Sequence, residues 1–126
     1  PAKYLSLIDP LVTPSKLNFP FDISLLGMGL DGHFASLFPE LLANLSLFNV
    51  EAPHEIYLSE NALGHPSHKR ISMNLSMLLN CDRCILLVSS ESKRGVLDQA
   101  IGDSRLPVHY LINQNKVKIE FSDVDF

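Results

Sequence analysis

A short apolar run, Ile23 to Leu26, breaks off at Gly27-Met28-Gly29, and no other feature of the chain constrains its fold as much. An apolar run of this length, closed by glycine, predicts a buried strand. Two glycines allow backbone angles closed to other residues and let a ligand approach the main chain. Asp31, Gly32 and His33 come next after a single leucine. A carboxylate and an imidazole therefore occupy a glycine-rich turn at the C-terminal end of a strand. In open parallel α/β sheets, ligands bind at that edge. Phe34 to Phe38 reads as a short helix stopped by Pro39, so the turn is expected to face a helix N-terminus, which suits anions.

The rest of the chain predicts further elements. Tyr4 to Ile8 is a strand candidate ended by Asp9-Pro10, and Leu11 to Pro20 reads as a loop or a poorly formed helix. Leu41 to Leu47 either extends the helix after Pro39 or lies as an irregular cover. Ala52 to Lys69 shows no periodicity and carries Pro53, Gly64, Pro66, His54, His65 and His68. It reads as a long loop, and long loops in compact domains are usually functional or mobile. Ile71, Met73 and Leu75 alternate with Ser72 and Asn74, as in a strand. A short helix over Leu75 to Asn80 follows, with Ser76 as its expected N-cap. Cys84 to Val88 is continuously apolar, the pattern of a central strand covered on both faces. After Ser89-Ser90 a helix places Val96, Leu97, Ala100 and Ile101 on one face and stops at Gly102. Leu106 to Asn115 has little helical character. Val117, Ile119 and Phe121 alternate with Lys118 and Glu120, predicting a half-exposed strand near a sheet edge.

Strands alternating with helices imply parallel pairing through right-handed crossovers. The expected fold is α/β, a mostly parallel, Rossmann-like sheet flanked by helices, in one domain over residues 1–126. With 46% hydrophobic residues, a chain of 126 can bury one core. A net charge of −4 argues against a nucleic-acid partner. The longest apolar run is too short to span a membrane, and nothing resembles a signal peptide, so a cytoplasmic location is expected. Cys81 and Cys84 have redox spacing, but they lead from a helix into a buried strand, the reverse of a thioredoxin-like order. His65 and His68 lack acidic or cysteine companions at metal-binding spacing. Neither a metal nor a cofactor is expected.

Leu25 to Pro39 resembles the signature of the 6-phosphogluconolactonases, LGMGxDGHTASLFP, and departs from it only at Phe34, where that family usually has threonine. Arg70-Ile71-Ser72-Met73 resembles the family's RIT segment, and Lys93 in Ser90-Glu91-Ser92-Lys93 resembles the lysine of its G-x-x-K. The resemblance, to the wider glucosamine-6-phosphate isomerase/6-phosphogluconolactonase superfamily, begins near Lys3 and covers about the second half of the family's fold. The family's upstream SGGS/T-P loop and its arginine-bearing acidic segment have no counterpart here. A partial, C-terminal fold is implied.

The implied reaction is hydrolysis of 6-phosphogluconolactone to 6-phosphogluconate, a step of the pentose phosphate pathway. His33 is the candidate base, since a free imidazole titrates near ~6.5. Asp31 either orients the ring or favours the imidazolium as it forms. The main-chain amides of Gly27, Met28 and Gly29 are candidates to stabilise the oxyanion. Arg70 and Lys93 are the candidate phosphate ligands, the first by a two-pronged grip and the second as a point charge. Lys69 and Arg94 are adjacent reserves. One alternative is a sugar-phosphate deaminase or isomerase, whose pattern DGHIxFNEP puts an acid five places after the histidine; here that place is Phe38, and the nearest acid is Glu40. Another is a non-catalytic half-domain. The partner implied is a phosphorylated sugar lactone, together with a homodimer mate or a complementary N-terminal segment. By itself the chain is expected to have little activity.

Overall fold

The computed structural model describes residues 20–123, which leaves the strand candidate at Tyr4 to Ile8 and most of Leu11 to Pro20 outside the described residues. Three parallel strands form the main sheet: β1 (Phe21–Gly27), β4 (Cys81–Val88) and β5 (Ile119–Asp123), in the order β1-β4-β5. Gly27 pairs with Leu87, and Val88 with Asp123, so all three carboxyl ends lie at one edge. On one face Leu26, Cys84, Leu86 and Val88 are buried in the core with Phe34, Leu37, Leu75, Val108 and Leu111. Each such side chain contributes about 1.5–3 kcal/mol relative to exposure. The other face is less covered than the run Cys84 to Val88 suggested. Ile85 and Leu87 are half-buried, and Ile23 and Leu25 of β1 stand exposed among the described residues.

β2 (Ile56–Leu63) and β3 (His68–Met73) form a separate antiparallel hairpin, pairing Ile56 with Met73 and Leu63 with His68. Most of the expected loop from Ala52 to Lys69 is therefore strand. Its periodicity is hidden by a register shift between Leu58 and Ala62. Such a bulge moves residues to the opposite face and breaks the alternation. Within the irregularity the Ser59 hydroxyl accepts the Arg70 N–H at 2.8 Å and donates to the Asn61 carbonyl at 2.8 Å.

Helix α1 (Leu75–Leu78) has Asn74, not Ser76, as its N-cap. The Asn74 amide oxygen accepts the Met77 N–H at 3.2 Å, while its NH₂ donates to the carbonyls of Ser46 and Pro53. This fully buried side chain is thus satisfied on both sides. Ser76 instead donates its hydroxyl to Asn74. Helix α2 (Glu91–Ala100) begins at Ser90, whose hydroxyl accepts the Lys93 N–H at 3.2 Å. Ala100 is buried, and Val96 and Leu97 pack on the core. Ile101 does not share that face: it sits at the C-cap, past the core, and is 61% exposed.

Residues 106 to 115 do contain a helix, α3 (Val108–Ile112). Val108 and Leu111, one turn apart, are fully buried, so tertiary packing rather than propensity makes this segment helical. The Val108 N–H also donates to the Gly32 carbonyl at 2.9 Å, which ties α3 to the turn after β1. Between the turn and the hairpin, Pro39–Leu41 and Leu45–Leu47 are single 3₁₀ turns, so this stretch is an irregular cover. No helix among the described residues is long and apolar enough to cross a membrane.

Candidate active site

Beyond Gly27 the backbone doubles back at once. The Gly29 N–H donates to the His33 carbonyl at 2.9 Å, and the Gly32 N–H donates to the Gly29 carbonyl at 3.0 Å. A side chain at Gly29 would collide with the His33 ring and come within 2.9 Å of an Asp31 oxygen. Glycine is required there because the imidazole lies directly over the backbone. The Gly29 amide, an expected oxyanion donor, is already committed to the turn.

One oxygen of Asp31 holds His33 twice, accepting its backbone N–H at 3.1 Å and bonding ring Nδ1 at 2.5 Å. A carboxylate can only accept, so in the neutral ring the proton sits on Nδ1 and Nε2 keeps its lone pair. The side chains of His33 and Asp31 are 31% and 44% exposed, within reach of water and substrate. They line a cleft of about 340 Å³ with Leu30, Phe38, Gly64 and His65.

The helix expected over Phe34 to Phe38 is absent. Ala35 takes φ 50, and Phe34 forms isolated bridges to Met28 and Leu37. The positive φ at Ala35 interrupts a right-handed helical path, and the Leu37 N–H instead closes a tight turn onto the Phe34 carbonyl at 2.9 Å. No helix N-terminus approaches His33 from this segment. Phe34, the departure from the family signature, is a core residue and does not line the cleft. Phe38 does: its ring stacks on His33 at 4.4 Å and 25°. The place where the deaminase pattern has an acid is therefore filled by an aromatic shelf.

Arg70 is brought to the same shelf, its guanidinium carbon 5.5 Å from the Phe38 ring centre. Nε donates to the Leu63 carbonyl at 3.0 Å and Nη2 to the Pro66 carbonyl at 2.5 Å. Nε–H and one Nη2–H are thus spent on the hairpin tip, which leaves Nη1 and the second Nη2–H for an anion. Lys93 lies in the first turn of α2, at the same edge of the sheet as the glycine turn; like Arg70, which stands behind Phe38 and Gly64, it does not itself line the His33 cleft. Of the reserves, Arg94 is paired with Asp123 at 2.7 Å and Lys69 is exposed on β3.

Sequence reasoning missed Phe38, Gly64 and His65 as parts of this site. Gly64 and Pro66 were turn signals, but nothing local indicated that the turn they make meets a segment so distant in the chain.

Residues 2–120 match the family described as glucosamine-6-phosphate isomerases/6-phosphogluconolactonase. The chain belongs to that family. It is 37% identical over 101 residues to the 6-phosphogluconolactonase of Helicobacter pylori strain J99, a match covering 78% of this chain and 42% of that protein. It is 37% identical over 103 residues to the Caulobacter vibrioides 6-phosphogluconolactonase, covering 79% and 43%. Among solved structures, a 6-phosphogluconolactonase from Shewanella baltica superposes with a TM-score of 0.63 at 26% identity, over 95% of this chain and 49% of that one. A putative 6-phosphogluconolactonase from Neisseria gonorrhoeae gives 0.67 at 28% identity, over 79% and 43%. The chain spans less than half the length of each of these relatives.

Proposed function

We propose that this chain carries the water-activating part of a 6-phosphogluconolactonase site. The observation that supports it best is the Asp31 carboxylate on Nδ1 of His33, in a cleft open to a ligand. Nε2 of His33 takes a proton from water as its oxygen bonds to the lactone carbonyl carbon. The resulting imidazolium is stabilised by Asp31. Its proton then passes to the ring oxygen as the acyl–oxygen bond breaks, giving 6-phosphogluconate. General-base help of this kind contributes roughly 10²–10⁴-fold. The amides of Gly27 and Met28 remain candidates for the oxyanion, and Nη1 of Arg70 and the ammonium of Lys93 for the phosphate.

The half-exposed His33 does not exclude water by itself, and substrate held loosely loses most of the advantage of a fixed attack distance. Efficient turnover is therefore expected with a complementary amino-terminal segment of the kind the longer relatives carry, and little without it. The test measures 6-phosphogluconolactone hydrolysis, above the spontaneous rate, by the chain mixed with the amino-terminal part of the Helicobacter relative. Turnover that disappears in His33→Gln supports the reading. Absence of turnover in the mixture, or turnover indifferent to His33, overturns it.

A further inference from the structure

The wall of the cleft facing the glycine turn is the tip of the β2–β3 hairpin, and it contributes a second imidazole, that of His65. Three observations hold this tip in place. Arg70 bonds the carbonyls of Leu63 and Pro66, which flank His65 on both sides. Gly64 turns with φ +78, a conformation that favours glycine. It also packs so closely that an added Cβ would lie 2.8 Å from Phe38 Cζ and 3.0 Å from Nη2 of Arg70. His65 is thus an exposed side chain on a backbone clamped on both sides by Arg70.

The hairpin tip carries charge of one sign, and among the described residues the only acid lining the cleft, Asp31, is bonded to His33. Gly64 to Arg70 contains two histidines, a lysine and an arginine and no acid, in a chain whose net charge is −4. Of the three cationic or ionisable residues in that run besides Arg70, only His65 lines the cleft; His68 and Lys69 are exposed on β3. An imidazole offers an N–H donor whether neutral or charged. An anion seated in the cleft would meet this donor.

We infer that His65 is a phosphate contact that separates phosphorylated from unphosphorylated substrate, with Arg70 acting partly as the clasp that positions it. The assignment of phosphate rests on the lactonase reading; the assignment of an anion to His65 does not. The experiment follows the imidazole resonances of the full chain by NMR while 6-phosphogluconate, gluconate or inorganic phosphate is added. The His65 ring signals should move with 6-phosphogluconate and phosphate and stay still with gluconate. His65→Ala should weaken 6-phosphogluconate binding by about tenfold or more, as loss of a hydrogen bond to a charged group does. His65→Gln, which keeps a donor, should recover part of the loss, and His68→Ala should bind normally. An unmoved His65 signal, or equal losses in His65→Ala and His68→Ala, overturns the inference. A second arm assays lactone hydrolysis with the complementary segment present, where His65→Ala should raise KM and leave kcat within about twofold. Binding through His65 without turnover in that mixture removes the lactonase reading and leaves the anion contact standing. Turnover with an unchanged KM in His65→Ala does the opposite.

Discussion

The two walls of the cleft are built in opposite ways. The glycine turn is local: Gly29, Asp31 and His33 interact within five consecutive residues, and the proposed base is oriented by a carboxylate two places away. The hairpin tip is assembled at long range, by Arg70 reaching back across its own hairpin and by Gly64 packing on Phe38. Proton transfer can be arranged by a short peptide with the right glycines. A binding wall needs surfaces brought together from distant segments. The contrast implies that damage to the turn acts on the chemical step, while damage to the tip acts on affinity and folding.

The largest effect is expected at the turn. His33→Ala should lower lactone hydrolysis in the completed enzyme roughly 10²–10⁴-fold, with a much smaller change in KM; an effect confined to KM would break the contrast. On the other wall, Arg70→Ala should cost about 1.5–3 kcal/mol of substrate binding while kcat changes little. Arg70→Lys should not restore it, because a flexible ammonium lacks the planar fork that bonds both carbonyls and still presents donors in a fixed direction. Full rescue by lysine would mean that Arg70 contributes charge alone.

Gly64→Ala should reduce stability by about 1–3 kcal/mol, from the left-handed backbone alone, read as a lower urea midpoint. Gly95→Ala in α2, where an added Cβ meets nothing within 4 Å, is the matched control. It should be neutral or stabilise by about 0.4–1 kcal/mol. Equal behaviour of the two variants would show that the tip is not clamped.

The smallest effect concerns the parallel sheet from which the glycine turn emerges. Cys84 in β4 is fully buried, and burial, with Cys81 nearby, pushes its thiol up to about 11. An unfolded thiol ionises at lower pH, so Cys84 contributes stability that is intact below about 9 and lost as pH rises toward 11. Urea midpoints across that range should fall, and less so in Cys84→Ala measured against its own neutral-pH value. At neutral pH the Cys84 thiol should resist alkylation in the folded protein, which would separate this pair from a redox motif.

Much of the Asp31–His33 turn was legible because its determinants are neighbours in the chain. The run Ile23 to Leu26, the stop at Gly27 and the Asp31-Gly32-His33 order predict a strand, a turn and an oriented imidazole without reference to anything distant. The same holds for β4 and for α2 after its Ser90 cap, where periodicity and capping are short-range. Elsewhere local signals misled. Phe34 to Phe38 has the composition of a helix, yet Ala35 takes a positive φ and Phe34 bridges to Met28 and Leu37 in a tight turn. β2 lost its alternation to a bulge, and α3 exists because Val108 and Leu111 fill the core beneath Gly32. The shelf of Phe38, the clasp of Arg70 and the position of His65 belong wholly to the tertiary structure. They depend on where one hairpin docks against one turn, and docking is decided by complementary shapes and buried area that no short window of residues contains.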